Sequence, residues 1–225
     1  TAPPLRPASP LSSSTLLTRN RAEPAYGHAV GREIASADEI ELIEAFITVG
    51  GVRVIRQELE AFARRGRTMR VLTTVFTGTT EVDAIDALAR LPGVEVRISY
   101  DVRRTRLHAK AWLFARATGL HTAYVGSANL TATALGSGQE WMVKVCAADL
   151  PHVIDKFRGT FGGLWNDAEF EPYDPRSEAD RARLRAALKA ERSSASAVVP
   201  PFSLRPLPFQ QEILDRLAAE RVLHH

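Results

Sequence analysis

The feature that most constrains the fold is a regular alternation of short β-type apolar segments with longer segments of helical periodicity. Two amphipathic stretches, 54–64 and 80–91, space their apolar residues for one helix face. β-type segments stand before, between and after them, at 40–47, 68–76 and 94–100. This alternation predicts a sheet covered by helices, and therefore an α/β fold.

The pattern continues in the second half of the chain, where strands are predicted at 107–114, 122–125 and 140–146 and a helix at 153–165. The first strand has an alternative interpretation, because Ile40, Ile43 and Ile47 also fit the 3.6-residue period of a helix. The number of strands and their connecting helices favours a mainly parallel or mixed sheet.

Changes in composition divide the chain into four predicted regions. Residues 1–25 are rich in Pro, Ser and Thr and are expected to form a disordered leader. The folded domain is predicted at 26–175, and a charged helix with a small-residue linker follows at 176–201. A further amphipathic segment begins within 202–225. We interpret the end of the chain as a truncation inside a longer protein, with a natural C-terminal helix as the alternative.

Composition limits the classes of protein that the chain can represent. Hydrophobic residues make up 45% and charged residues 24% of the chain, so a core can form without a metal or a disulfide. The single cysteine, Cys146, lies in a β-type segment and is expected to be a buried, inert thiol, which fits a reducing cytoplasm. No apolar run reaches membrane-spanning length, so no membrane partner is expected. The net charge of +3 permits a polyanionic partner without requiring one.

The residues that can carry chemistry lie in three nearby segments. His108 and Lys110 are two residues apart on a predicted strand, so their side chains point to the same face. A neutral imidazole beside an ammonium suits attack on a phosphate. Ser127 and Asn129 lie in a Gly-Ser-Ala-Asn turn that can aim polar groups at the same anion, and Glu140 can orient an imidazole. Each residue alone also has a structural explanation, but the ordered set favours a site.

The set resembles the phospholipase D superfamily, whose motif is His-x-Lys followed by Gly-Ser-x-Asn. The resemblance implies that His108 is the nucleophile and that Lys110, Ser127 and Asn129 bind the phosphate. The superfamily motif also has an Asp five residues after the Lys, where this chain has Ala115. Members that resemble metal-independent restriction endonucleases also lack this Asp and use a later Glu, and Glu140 matches that role.

The superfamily active site needs two His-Lys sets, because one imidazole attacks while the other protonates the leaving oxygen. This sequence has one set, since His28, His121 and His152 are not followed two residues later by a lysine. The resemblance therefore implies a homodimer that shares one site on a two-fold axis. No cofactor is implied.

Three arginines crowd the segment before His108, at Arg103, Arg104 and Arg106. We expect them either to follow a nucleic-acid backbone or to form a solvated charged loop.

The segment 204–214 resembles the start of a superfamily 2 DEAD/DEAH-type helicase core. The sequence contains no Gly-x-x-x-x-Gly-Lys-Ser/Thr loop, so this chain cannot hydrolyse ATP by that route. The arrangement resembles bacterial proteins in which a phospholipase D-like domain precedes a helicase.

Together these observations predict a phospholipase D-like α/β/α sandwich with a mixed, largely parallel sheet. The expected function is metal-independent, endonuclease-type hydrolysis of nucleic acid, with DNA as the expected substrate. One alternative is an inactive nucleic-acid-binding or dimerisation module of a helicase. The other is a phospholipase, which would require an apolar membrane-facing surface and usually has two motifs, and neither feature is visible in the sequence.

Overall fold

The computed structural model describes residues 9–19, 23, 25–104, 106–197, 211 and 213. The chain divides into two compact units, Thr1–Ser193 and Ser194–His225. The first unit contains the whole sheet. Apart from residues 211 and 213, the predicted helicase-like region at 202–225 lies outside the described residues, as do residues 1–8 of the predicted leader.

Eight strands form one sheet in the described part of the chain. They are β1 (Thr15–Leu17), β2 (Glu39–Glu44), β3 (Thr68–Thr74), β4 (Val94–Ser99), β5 (Lys110–Ala115), β6 (Thr122–Gly126), β7 (Met142–Cys146) and β8 (Phe170–Pro172). The helices are α1 (Tyr26–Ser36), α2 (Val49–Val54), α3 (Arg56–Arg64), α4 (Val82–Ala89), α5 (Ala132–Leu135), α6 (Pro151–Trp165) and α7 (Glu178–Ala197). A short 3-10 helix occupies Phe76–Gly78.

The strand order is β1-β7-β6-β5-β2-β3-β4-β8. The sheet is mixed, as predicted, but the expectation that it is largely parallel is wrong. Only β2–β3 and β3–β4 are parallel pairs, and the other pairings are antiparallel. The reason lies in the connections. Helices cross over between β2, β3 and β4, whereas a turn joins β5 to β6 and a loop that contains the four-residue helix α5 returns the chain from β6 to β7.

Helices cover both faces of the sheet, so the predicted α/β/α layering is confirmed. One face packs on α1, α3, α4 and α7 through a core that includes Val30, Phe62, Ile85 and Leu188. The other face packs on α6, where Ile154 and Phe161 meet the sheet. The two faces follow the two-residue period of the strands. The sheet side chains that face α6 include Ile43, Leu72, Leu113, Ala123 and Val145.

Several predicted boundaries are corrected by the structure. Residues 39–44 form a strand, so the helical alternative for this segment is wrong. The predicted leader contains β1, which pairs with β7. Helix α7 extends to Ala197, so it takes up most of the region predicted at 176–201 as a charged helix and a linker. The predicted helix at 54–64 is two helices that break at Ile55, and the predicted strands at 107–114 and 140–146 begin only at Lys110 and Met142.

Two further observations concern predictions made from composition. Cys146 is fully buried in β7, as expected for an inert thiol. No helix in the described ranges combines the length and apolar character needed to cross a membrane.

Candidate active site

The predicted site residues lie at one end of the sheet, where β2 and β6 finish and β5 and β7 begin. The register shows this directly, because Glu44 at the end of β2 lies opposite Lys110 at the start of β5. On the neighbouring pair, Gly126 at the end of β6 lies opposite Met142 at the start of β7. Residues just outside these strand ends therefore converge on one region.

His108 and Lys110 are brought together, as the sequence predicts. The Lys110 Nζ atom lies 2.7 Å from Nδ1 and 3.1 Å from Nε2 of His108, and it donates to the His108 carbonyl oxygen at 2.8 Å. His108 itself precedes β5 and is exposed, whereas Lys110 is buried as the first residue of the strand. The lysine is thus fixed by the sheet while the imidazole faces solvent.

Phe46 is a site residue that the sequence did not reveal. Its ring lies edge-on to the His108 ring with centroids 5.6 Å apart, and the Lys110 Nζ atom lies 5.7 Å from its centroid. An aromatic ring in this position supports both polar groups through edge-on and cation–π contacts.

Ser127 and Glu140 form a second pair. The Ser127 hydroxyl donates to Oε2 of Glu140 and accepts the Trp141 backbone N–H at 3.1 Å, while the Ser127 N–H donates to the Trp141 carbonyl oxygen at 3.1 Å. Gly126 permits this close approach, because a Cβ there would lie 2.1 Å from the Trp141 carbonyl oxygen. The turn after β6 is therefore locked to the segment before β7.

Asn129 lies in the same turn, which is pinned to the end of β2. The Leu130 N–H donates to the Phe46 carbonyl oxygen at 3.1 Å, and the Thr48 N–H donates to the Leu130 carbonyl oxygen at 3.0 Å. The Oδ1 atom of Asn129 is buried and has no hydrogen-bond partner in the described structure. A buried, unpaired amide oxygen of this kind is typical of a functional position.

Glu44 is the second residue that the sequence did not reveal. It is fully buried, and its Oε1 atom accepts the Trp112 indole N–H at 3.2 Å. Burial raises the pKa of this carboxyl well above its ordinary value, although Trp112, Leu130 and Lys110 act in the opposite direction. The only available sequence signal was an acidic residue inside an apolar run, because the register with Lys110 cannot be read from sequence.

Burial also lowers the pKa of Lys110, and the negative charges of Glu44 and Glu140 oppose that shift. The charge of Glu140, in the pair Ser127–Glu140, thus acts on the ammonium of the pair His108–Lys110. Among the described residues, however, no hydrogen bond joins Glu140 to His108. Within one chain, Glu140 contacts Ser127 instead of the imidazole that it was expected to orient.

The departure from the superfamily motif at Ala115 lies far from this site. Ala115 ends β5 and Lys110 begins it, so five residues of extended strand, roughly 16 Å, separate them. The Ala115 carbonyl oxygen accepts the Asp38 N–H at 2.8 Å at the opposite end of the sheet. An aspartate at this position would not reach the site, so its absence removes no group from it.

The three arginines are placed on the connection between β4 and His108. The side chains of Arg103, Arg104 and Arg106 are exposed, and the N–H groups of the first two donate to Oδ1 of Asp101. Arg104 also lies 3.9 Å from Glu169, through its Nε atom. The segment is thus a solvated basic loop that leads into the site.

In the described ranges, no group of three or more His, Cys, Asp or Glu side chains is placed to hold a metal ion. The residues that gather here instead offer an imidazole, an ammonium, a hydroxyl, an amide and two carboxyls.

Comparison with known proteins gives the family. Residues 31–165, more than half of the chain, match the family described as cardiolipin synthase, PLD-like domain. The structure is similar to NucT from Helicobacter pylori, with a TM-score of 0.58 and 15% identity over 72% of this chain and 99% of that chain. It is also similar to Nuc from Salmonella typhimurium, a phospholipase D family member, with a TM-score of 0.53 and 18% identity over 72% of this chain and 97% of that one. No curated protein matches the sequence. The chain belongs to the PLD-like domain family.

Proposed function

We propose that this chain is a phosphodiesterase that cleaves nucleic acid, with DNA as the expected substrate, through a covalent phosphohistidine at His108. The observation that carries the proposal is the Lys110 ammonium 2.7 Å from Nδ1 of an exposed His108, beside a turn that presents Ser127 and Asn129. The ammonium, the hydroxyl and the amide can hold the non-bridging oxygens of a phosphate in front of the imidazole.

The proposed reaction has two displacements at phosphorus. The neutral His108 imidazole attacks phosphorus, a P–N bond forms, and the P–O bond to the leaving oxygen breaks while a second, protonated imidazole gives that oxygen its proton. The second imidazole, now neutral, then takes a proton from water as the water oxygen attacks phosphorus. The P–N bond breaks, and both imidazoles return to their starting states. No step needs a metal, because Lys110 and the second imidazolium supply the positive charge.

We propose that the second imidazole is His108 of another copy of the chain. Displacement in line requires the attacking and protonating groups on opposite sides of phosphorus, and one chain supplies a single His-x-Lys set. A two-fold axis through the phosphate position places the two His108 imidazoles on opposite sides of phosphorus. The closeness of the two imidazoles also gives them different roles, because protonation of one disfavours protonation of the other.

An exposed apolar patch beside the site supports the dimer. We call it the apolar corner; it consists of Leu16, Val125, Trp141 and Val143, which are 43%, 45%, 59% and 46% exposed. Val143 lies opposite both Leu16 and Val125 in the register, and Trp141 contacts Ser127 of the site. Helix α6 starts at the other end of β7 and crosses to Leu107, which leaves this corner uncovered. An exposed apolar surface of this kind is typical of a protein–protein contact, and a second copy of the chain would cover it.

We further propose that the domain precedes a helicase core in a longer protein, because the segment 204–214 resembles the start of such a core.

The basic loop of Arg103, Arg104 and Arg106 supports nucleic acid as the substrate, because exposed arginines beside a phosphate site can follow the flanking backbone. The inactive-module alternative loses its main support, since Ala115 lies at the far end of β5.

The proposal predicts DNA cleavage that persists in EDTA. His108→Ala should abolish it, because no other group can form the covalent intermediate. His28→Ala is the matched control, since His28 is an exposed histidine on α1 outside the site and its loss should leave the rate unchanged. Cleavage that disappears in EDTA and returns with Mg²⁺, or that survives in His108→Ala, would contradict the proposal.

A further inference from the structure

A carboxyl group lies beneath the lysine of the site. Glu44 and Lys110 are direct partners in the antiparallel register of β2 and β5, so their side chains leave the same face of the sheet as neighbours. Both residues are buried. An acidic and a basic side chain in this relation would ordinarily form an ion pair across the two strands.

The lysine does not turn toward this carboxyl. In the part of the chain that the structure describes, the hydrogen-bond contacts of the Lys110 ammonium are all with His108. One oxygen of Glu44 accepts the indole N–H of Trp112, and the other, Oε2, is buried without a hydrogen-bond partner. An ionised carboxylate is unfavourable when one of its buried oxygens accepts no hydrogen bond. A protonated carboxyl is neutral, and its burial costs far less free energy.

The charged and titratable groups around Glu44 come from several elements. Lys110 on β5 favours the ionised form, whereas Glu140, just before β7, disfavours it. Tyr26 on α1 is also buried, has an unpaired hydroxyl, and is influenced by the charge of Glu44. Burial exceeds the opposing influences of Trp112, Leu130 and Lys110, and the pKa of Glu44 lies well above its ordinary value.

We propose that Glu44 is a positioning residue that works as a neutral carboxylic acid beneath Lys110, which leaves the ammonium free to turn outward to His108 and the phosphate. When Glu44 loses its proton, the resulting carboxylate draws the ammonium inward and adds a negative charge below the bound anion. The site therefore binds phosphate less well when Glu44 is ionised. This inference rests on the proposed phosphate-binding role of Lys110.

The first test asks whether Glu44 holds a proton, without any measurement of cleavage. Infrared spectra of the whole chain at neutral pH should contain the C=O stretch of a protonated carboxyl, and Glu44→Gln should remove it. Asp86→Asn is the matched control, because Asp86 is a buried acid on α4 whose two oxygens both have partners, Tyr173 and Arg181. A spectrum with no such band, or a band that Glu44→Gln leaves in place, would overturn the inference.

The second test follows sulfate binding from mildly acidic to alkaline buffer in wild type and Glu44→Gln. Sulfate keeps its charge over this range, and every other ionisable group of the site is present in both proteins, so the ratio of the two affinities isolates Glu44. The two affinities should agree at low pH, and wild type should bind about tenfold more weakly once Glu44 is ionised. A ratio that stays constant with pH would overturn the inference even if DNA cleavage is confirmed. Conversely, absence of cleavage would leave this binding result standing.

Discussion

At the scale of single residues, the placement of side chains was predictable where it depended on spacing along the chain. His108 and Lys110 are two residues apart, and the structure joins them. Glu44 and Phe46 were not predictable, because they reach Lys110 and His108 across the β2–β5 register. Sequence spacing describes one strand, whereas cross-strand neighbours depend on pairing that no local pattern specifies.

A residue-scale prediction concerns the Ser127 hydroxyl, which we expect to contact the phosphate and which also joins Glu140 to Trp141. Ser127→Ala should lower the rate of DNA cleavage about a hundredfold, as loss of one preorganised donor commonly does. The free energy of unfolding should change by only about 1 kcal/mol, because Ser127 is exposed. Cleavage kinetics and denaturant unfolding check the two parts.

Ser177 offers a matched control for this variant. Its hydroxyl donates to Asp180 at 3.0 Å and accepts the Asp180 N–H at 3.1 Å, which is a similar arrangement at the start of α7. Ser177→Ala should cost about 1 kcal/mol of stability through loss of a helix cap and leave cleavage unchanged. Equal cleavage by Ser127→Ala and Ser177→Ala would remove Ser127 from the site.

At the scale of elements, periodicity predicted whether most segments are helices or strands. It failed where tertiary contacts, and not the local sequence, determine the conformation. The predicted helix at 153–165 and the three early strands are present, with ends shifted by a few residues. Helix α1 was missed because it contains two glycines, Gly27 and Gly31, which are weak helix formers. Strand β1 was missed because its three residues are ordered by pairing with β7 and have no strong local signal.

The sequence pattern also failed to predict the direction of the strands. Counting strands and helices suggested a largely parallel sheet, but direction depends on whether a connection crosses over or returns. The connection from β4 to β5 contains the basic loop and, among its described residues, no helix, and β5 lies beside β2 in the antiparallel direction. This reversal is what places Lys110 at the same end of the sheet as Glu44.

At the scale of the whole molecule, the proposed shared site requires two copies of the chain, and we expect them to meet at the apolar corner. Val143→Asp places a charge in that corner and should produce a monomer that no longer cleaves DNA, because each site loses its second imidazole. Val54→Asp is the matched control, since Val54 is 45% exposed on α2, comparable with the 46% of Val143. It should remain dimeric and active.

Light scattering gives the mass of each variant independently of its activity. A wild-type monomer that cleaves DNA would contradict the shared site. A Val143→Asp protein that stays dimeric with normal cleavage would show that the copies meet at another surface, while leaving His108 as the nucleophile.

The central claim is that His108 becomes covalently bound to phosphate, and trapping that intermediate tests it most directly. Wild-type protein mixed with DNA and quenched in alkali should carry a DNA fragment joined through its terminal phosphate by a bond that is stable to base and labile to acid. After the attached DNA is trimmed with a nuclease, peptide mass spectrometry should locate the remaining nucleotide on His108. The adduct should be absent from His108→Ala. DNA cleavage without any such adduct, or an adduct on a different residue, would contradict the account.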